Sequence, residues 1–189
     1  MGEYAMNADI VNEAEQATRD KSLPDKNSIY VRPAQISDLD NVEAVYASAR
    51  KYMADNGNPN QWGTSYPSRE LLESDISKKQ LYVCYSSNEH ICGVFVLALG
   101  DDPTYAKIYD GEWLSDEPYA TIHRIASDGT ERGILDACLK LAQSTGKQLR
   151  ADTHADNLMM QHALEKHGFV HCGTIYVADG TPRLAYQRI

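Results

Sequence analysis

The sequence predicts an α/β domain over residues 29 to 189, a sheet covered by helices. Three observations predict it. Apolar segments of strand and helix type follow one another in the order strand, helix, helix, three strands, helix, strand, helix, two strands. The run from Ile91 to Leu99 is almost continuously apolar, as a central strand should be. The segment from Asn157 to Phe169 reads as an amphipathic helix, with Asn157 as a capping residue, Met160, Ala163 and Leu164 on one face, and Gly168 where the helix ends.

Taken in order, residues 1 to 28 form a polar extension ending in Leu23-Pro-Asp-Lys-Asn-Ser28, with a short helix expected through Ile10 to Ala17. Ile29 to Pro33 is the first strand. Ser37-Asp-Leu-Asp40 opens a helix with acids at the positive end of its dipole, and Leu39, Val42, Tyr46, Ala49 and Met53 form its buried stripe. Gly57-Asn-Pro59 stops it, and a loop from Gln61 to Pro67 carries Trp62 and Tyr66 among chain breakers before a second helix from Ser68 towards Ile76. Strands Gln80 to Tyr85 and Ile91 to Leu99 join through a turn at Asn88. An acidic, aromatic insertion fills Gly100 to Tyr119. The strand Tyr119 to Ala126, a helix over 134–145 closed by Gly146, a strand through Leu149 to Thr153, the 157–167 helix and two strands turning at Asp179-Gly-Thr-Pro182 complete the chain.

The 189 residues suffice for one ordinary core. Cys84, Cys92, Cys138 and Cys172 contain no Cys-x-x-Cys pair and read as buried free thiols in a reducing compartment, so a cytoplasmic protein is expected. The N-terminal residues carry no long apolar run and no Ser or Thr placed for myristoylation, which argues against a membrane partner. The formal charge of -9 disfavours nucleic acid and anionic membranes, and favours cationic amines. Asp152, His154, Asp156, His162, His167, His171 and Cys172 fit no standard zinc spacing, so no metal is expected. A monomer and a homodimer formed through an exposed edge strand both stay open.

Asn157, Met160, Lys166, Gly168 and Phe169 resemble the Asn-x-x-(Ala/Met)-x-x-x-Tyr-x-Lys-x-Gly-Phe signature of the GNAT acyltransferase superfamily. Upstream, the strand Tyr119 to Ala126 runs into Ser-Asp-Gly-Thr-Glu-Arg-Gly-Ile-Leu and a helix, which resembles that family's loop for the acetyl-CoA pyrophosphate. The resemblance covers residues 29 to 189. It implies a GNAT fold, with a mixed, mostly antiparallel central sheet and helices on both faces. It also implies acetyl-CoA as co-substrate and transfer of an acetyl group to a primary amine, of a small molecule ahead of a peptide N-terminus.

A pyrophosphate is held by backbone N–H groups converging at a helix N-terminus, and Gly133 would permit its close approach. The family loop falls on Thr130, Glu131, Arg132, Gly133, Ile134 and Leu135, with Thr130 where Arg or Gln is expected and Leu135 where a small residue is expected. In a shifted register, Arg132-Gly133 is the family's Arg-Gly pair. The resemblance further assigns the pantetheine arm to backbone groups of Ile125 and Ala126, with Asn157 reaching it from the other side and Lys166 in the shared motif.

Attack on a thioester needs a neutral amine, whereas an alkyl amine with a pKa near ~10.4 arrives protonated, so a base is required. His123 is the candidate, since it lies in the strand beside the acetyl position and titrates near neutrality; it is equally read as a satisfied half-buried histidine. Strand alternation sets Thr121, His123 and Ile125 on one face and Ile122, Arg124 and Ala126 on the other. The family's usual acid, the Tyr of its motif, is Leu164 here. Tyr176 is the candidate replacement ahead of Cys172, against the alternative of a core tyrosine. Without any acid, the chain would be a catalytically inactive acyl-CoA-binding module. Trp62, Tyr66, Trp113 and Tyr105 are candidates for an aromatic wall around the acceptor, with Glu112 attracting its ammonium group.

Overall fold

The computed structural model describes residues 28–189, so the expected helix through Ile10 to Ala17 lies outside the described residues. The elements are β1 (Tyr30–Pro33), a 3-10 turn (Ile36–Asp38), α1 (Leu39–Asp55), α2 (Arg69–Ser77), β2 (Leu81–Tyr85), β3 (Ile91–Leu99) and a second 3-10 turn (Pro103–Tyr105). Then come β4 (Tyr119–Ser127), α3 (Ile134–Ser144), β5 (Gln148–Thr153), α4 (Leu158–Lys166), β6 (Val170–Tyr176) and β7 (Pro182–Arg188). The strands form one sheet in the order β1-β2-β3-β4-β5-β7-β6. Among the described residues only β4 and β5 pair parallel; all other neighbours are antiparallel.

Helices cover both faces, each for a reason visible in its apolar stripe. On one face α3 supplies Ile134, Cys138, Leu139 and Ala142, and α4 supplies Leu164, against Tyr82, Phe95, Leu97, Ala120 and Ile122 of the sheet. On the other, α1 presents Leu39, Val42, Val45, Tyr46 and Ala49 to Val83, Val94 and Val96. Full burial of each such aliphatic side chain stabilises the fold by about 1.5–3 kcal/mol before entropy is counted. The stripe expected of α1 is present, with Met53 only half-buried at its end. Ser68 caps α2 by accepting from the Leu71 amide at 3.3 Å. The start of α1 differs from expectation: the Asp38 carboxylate, not Ser37, organises the entry, taking the Gln35 amide at 2.8 Å and both Arg32 guanidinium donors.

The insertion between β3 and β4 is part of the fold rather than a free acidic loop. Tyr105 packs with Tyr119 of β4, Ile175 of β6 and Ala185 of β7 in a third core cluster. Tyr109 bridges to Thr174, and Gly111 lies so close to β6 that a Cβ would collide with the Cys172 carbonyl oxygen.

One irregularity positions the functional groups. Val96 pairs with His123 and Val94 with Ala126, so Arg124 and Ile125 together face the single residue Phe95. This is a β-bulge, and Arg124 takes φ +50 within it. The expected alternation is therefore corrected. The extra residue turns Ile125 to the α3 side, where Ile122 also lies, and leaves Ala126 on the α1 side.

Candidate active site

The parallel pairing of β4 with β5 ends at Ile122 and Ala151. Beyond that rung the strands part, and a cleft of about 1330 Å³ opens between their ends. Its walls include the end of α1 and the loop after it, α2, the bulged end of β4 with the adjoining β3 and β5, the N-terminal ends of α3 and α4, and the turn between β6 and β7. A bulge beside a splayed strand pair leaves backbone groups of β4 without a partner strand on the β5 side.

Of the residues expected at the site, the fold brings Trp62, Tyr66, His123, Ile125, Ala126, Ile134, Leu135 and Asn157 to this cleft. It does not bring the others. Thr130, Glu131, Arg132 and Gly133 form the turn leading into α3 and do not line the cleft. Lys166 is exposed in the last turn of α4. Tyr176 is corrected as a candidate acid: it is 47% exposed on the edge strand, packs edge-on against Tyr109, and is separated from β5 by β7. Cys172 is buried on that same strand, and burial raises its thiol pKa.

The aromatic wall divides in two. Trp62 packs against Tyr46 and Tyr66 at the cleft. Trp113 instead stacks on Tyr105 at 5.7 Å and donates Nε1–H to the Tyr105 carbonyl. The Arg150 guanidinium is clasped between Trp113 and Tyr119, 3.9 Å from each ring. Trp113 is thus part of the scaffold, and Glu112 is exposed outside the cleft lining.

His123 sits among groups from two other segments, the β3–β4 insertion and β5. Its Nε2 is 2.9 Å from Asp102 Oδ2, and its Nδ1 is 4.0 Å from Asp152 Oδ1. The Tyr105 hydroxyl donates to that same Asp152 oxygen at 2.6 Å. The hydrogen bond with His123 is the largest influence on Asp102 and brings its carboxyl down to about 2, against the opposing effect of burial. Burial, reinforced by Asp152, raises the Tyr105 phenol well above its ordinary value.

Beside His123 the bulge is held by a buried pair. Arg124 Nη2 donates to Asp75 Oδ2 of α2 at 2.6 Å, Nη1 donates to the Tyr66 hydroxyl at 3.2 Å, and the Arg124 carbonyl accepts from Tyr46 at 2.9 Å. Neither Asp75 nor Asp102 was among the residues expected at the site. Their partners lie 49 and 21 positions away in sequence, so no local pattern announces them.

The loop into α3 is organised from within. Ser127 Oγ accepts the Gly129 amide, and Asp128 Oδ1 accepts both the amide and the hydroxyl of Thr130. Burial opposes the Asp128 charge, but the Thr130 donors and His90 hold its carboxyl below the usual range. Gly133 takes φ +86, a left-handed conformation that favours glycine. Among the described residues the amides of Gly133, Ile134, Leu135 and Asp136 find no acceptor, as the first amides of an uncapped helix do not. These donors, with the apolar faces of Ile125, Ile134, Leu135 and Ala163, fit a phosphate on an extended, largely apolar arm.

Asn157 caps α4 by accepting the Met160 amide at 3.2 Å, and its Nδ2 donates to Gln61 Oε1 at 3.0 Å. Asn58 Nδ2 donates to the same oxygen at 2.8 Å. The aromatic loop is thereby fastened to α4 across the cleft. His167 Nε2 lies 2.9 Å from Asp136 Oδ1 and ties the end of α4 to the start of α3. Among the described residues no three His, Cys, Asp or Glu side chains gather as metal ligands, and no helix is long and apolar enough to cross a membrane.

This sheet order, the parted β4 and β5, and a helix N-terminus beside the gap match the α/β architecture that the sequence resemblance implies. No protein-family model matches the chain, and no curated protein is similar to it at a significant level. Solved structures are similar. A GNAT-family acetyltransferase from Streptococcus agalactiae shares 30% identity at a TM-score of 0.75, with 88% of this chain and 98% of that one covered. A GNAT-family acetyltransferase from Listeria monocytogenes shares the fold at 16% identity and a TM-score of 0.65, covering 89% of this chain and 99% of that one. An N-acetyltransferase from Staphylococcus aureus Mu50 does so at 19% identity and a TM-score of 0.56, covering 85% and 98%. The chain belongs to the GNAT family of acetyltransferases.

Proposed function

We propose that the protein is an acetyl-CoA-dependent N-acetyltransferase that acetylates the primary amine of a small molecule. The observation that carries this reading is the parting of β4 and β5 beyond Ile122 and Ala151, which exposes His123 between a donor wall and an aromatic acceptor wall. On the donor side, the N-terminus of α3 supports the pyrophosphate, and Ile125, Ala126 and Leu135 support the pantetheine arm. Thr130, Glu131, Arg132 and Gly133 act by shaping the turn. On the acceptor side, Trp62 and Tyr66 face the incoming molecule. The cleft lining holds Asp75, Asp102, Asp128, Asp152, Asp156 and Asp179 against Lys78, Arg124 and Arg183, an acidic balance that suits a cationic amine. His123 takes the ammonium proton, the neutral amine forms the new C–N bond, the thioester C–S bond breaks, and the second nitrogen proton passes through water to the departing thiolate. The charge of -9 and the buried thiols support a cytoplasmic enzyme without a nucleic-acid or membrane partner.

A second reading is favoured by one observation: Leu164, at the family's acid position, is 2% exposed, and Tyr176 is remote from the cleft. In that reading the chain binds acetyl-CoA without transferring it. Calorimetric titration of acetyl-CoA, followed by mass-spectrometric detection of acetylated products across a panel of primary amines, separates the two. Ala163→Trp fills the donor wall from the helix surface and is expected to abolish binding. Saturable binding with turnover supports the enzyme, binding without turnover supports the second reading, and no wild-type binding overturns both.

A further inference from the structure

We propose that Asp102 is the positioning residue of the reaction: its carboxylate fixes the His123 ring with Nδ1 as the basic nitrogen, and Asp152 stands ready to receive the imidazolium. The inference deepens the reading of His123 as the base and rests on it.

The tautomer follows from the partners. Asp102 is ionised at neutral pH and can only accept, so the 2.9 Å contact requires the proton on His123 Nε2. A neutral imidazole then carries its lone pair on Nδ1. That nitrogen is 4.0 Å from Asp152 Oδ1, beyond hydrogen-bond distance, so it is uncommitted in the resting state. Once protonated, it gains a carboxylate neighbour on one side while Nε2–H keeps another.

Asp102 is itself fixed. Its Oδ1 accepts the Thr104 amide at 2.8 Å, and its own amide donates to the Tyr119 hydroxyl at 3.2 Å. Asp152 is held by Tyr105, whose ring meets His123 edge-on at 5.8 Å and stacks on Trp113. The titratable groups facing His123 are thus Asp102 and Tyr105 from the β3–β4 segment and Asp152 from β5. Next along β4 itself, the Arg124 charge is already matched by Asp75 of α2. This arrangement gives the acidic insertion a purpose that its composition does not suggest, since two of its residues orient the base.

The proton balance is complete. His123 Nδ1 takes the ammonium proton, the neutral amine then attacks the thioester carbon, the C–S bond breaks, and the second nitrogen proton passes through water to the departing thiolate. The imidazolium later returns its proton to solvent, with Nε2–H in place on Asp102 throughout.

The test is nitrogen NMR of the full chain labelled with ¹⁵N-histidine, the His123 signal being assigned by its loss in His123→Gln, together with pH profiles of kcat. The wild type is expected to show the Nε2–H tautomer at high pH. Asp102→Asn is expected to remove the Nε2–H tautomer preference, because an amide can donate as well as accept, and to lower kcat about tenfold to a hundredfold with KM for acetyl-CoA unchanged. An Nδ1–H tautomer in the wild type overturns the assignment without any variant. A folded Asp102→Asn variant that keeps both the Nε2–H tautomer and full kcat overturns it too. If the tautomer is as expected but His123→Gln keeps full turnover, the base reading falls, and with it any catalytic purpose for Asp102.

Discussion

Replacing Asp75 by Asn is nearly isosteric and removes one charge from the pair that pins the β4 bulge. Asp75 is 3% exposed, and its Oδ2 lies 2.6 Å from Arg124 Nη2. Arg124 Nε has no partner already, so the variant leaves a largely buried guanidinium with one neutral amide and the Tyr66 hydroxyl. Removing one partner of a buried ion pair costs about 3–5 kcal/mol. The bulge adds to the demand, because a non-glycine residue at φ +50 is strained by about 1–2 kcal/mol. Against a typical total stability of about 5–15 kcal/mol, this loss is severe. Urea unfolding at neutral pH, with the denaturant slope checked for constancy, reads it directly. The double variant Asp75→Asn with Arg124→Gln should lose clearly less than the two single losses added together. A loss below about 1 kcal/mol in Asp75→Asn would refute the claim that this pair holds the bulge.

Acid titration of stability offers a second check. The folded Asp102 carboxyl titrates at about 2, below the unfolded value near ~3.9, so its contribution is fully present above about pH 4 and disappears as pH falls towards 2. Discounted for partial exposure, it amounts to about 1–2 kcal/mol, read as a difference between wild type and Asp102→Asn that closes across that window. The cysteines give a third: all four are buried and free, burial pushes the Cys92 thiol up to about 11, and a thiol reagent should label none in the native protein and four after unfolding. A fourth concerns the insertion. Gly111→Ala forces a Cβ onto the Cys172 carbonyl oxygen, so it should destabilise by about 1–3 kcal/mol and lower kcat through Asp102 and Tyr105, as thermal melting and a transfer assay would report.

The sheet and its helices were legible because their signals are local. Apolar runs bounded by turn residues mark β2 and β3, and the Asn157 cap with the Gly168 stop marks α4. The bulge was not legible. One extra residue in β4 is defined only against its partner β3, and Arg124, unlike glycine, carries no hint of a positive φ. Alternation therefore paired Ile125 with the wrong neighbours. The aromatic and acidic insertion misled for a related reason: composition says which residues could attract an amine, but whether Trp113 faces a cleft or clasps Arg150 depends on contacts with distant strands. Asn157 was legible as a cap, whereas its bond to Gln61 crosses 96 positions.

The placement of Leu164 and Tyr176 bears on which proton the site must manage. Two transfers accompany acetylation: one from an amine whose pKa is near ~10.4, the other to a departing thiolate whose thiol has a pKa near ~8.5. At neutral pH the amine must surrender a proton it holds strongly, while the thiolate leaves with only modest need of one. A site with a clamped base and an apolar residue at the acid position therefore directs its residues to the harder transfer. The fold reflects the same order: residues from β5 and from the start of the insertion converge on His123, whereas the acid position holds the buried, apolar Leu164. With water serving the thiolate, turnover should carry one ionisation at its acidic limb and no descending limb near ~10 from a tyrosine acid. A descending limb that persists in Tyr105→Phe and Tyr176→Phe alike, and follows the acceptor amine instead, would still fit; one abolished by either variant would assign the acid to that tyrosine.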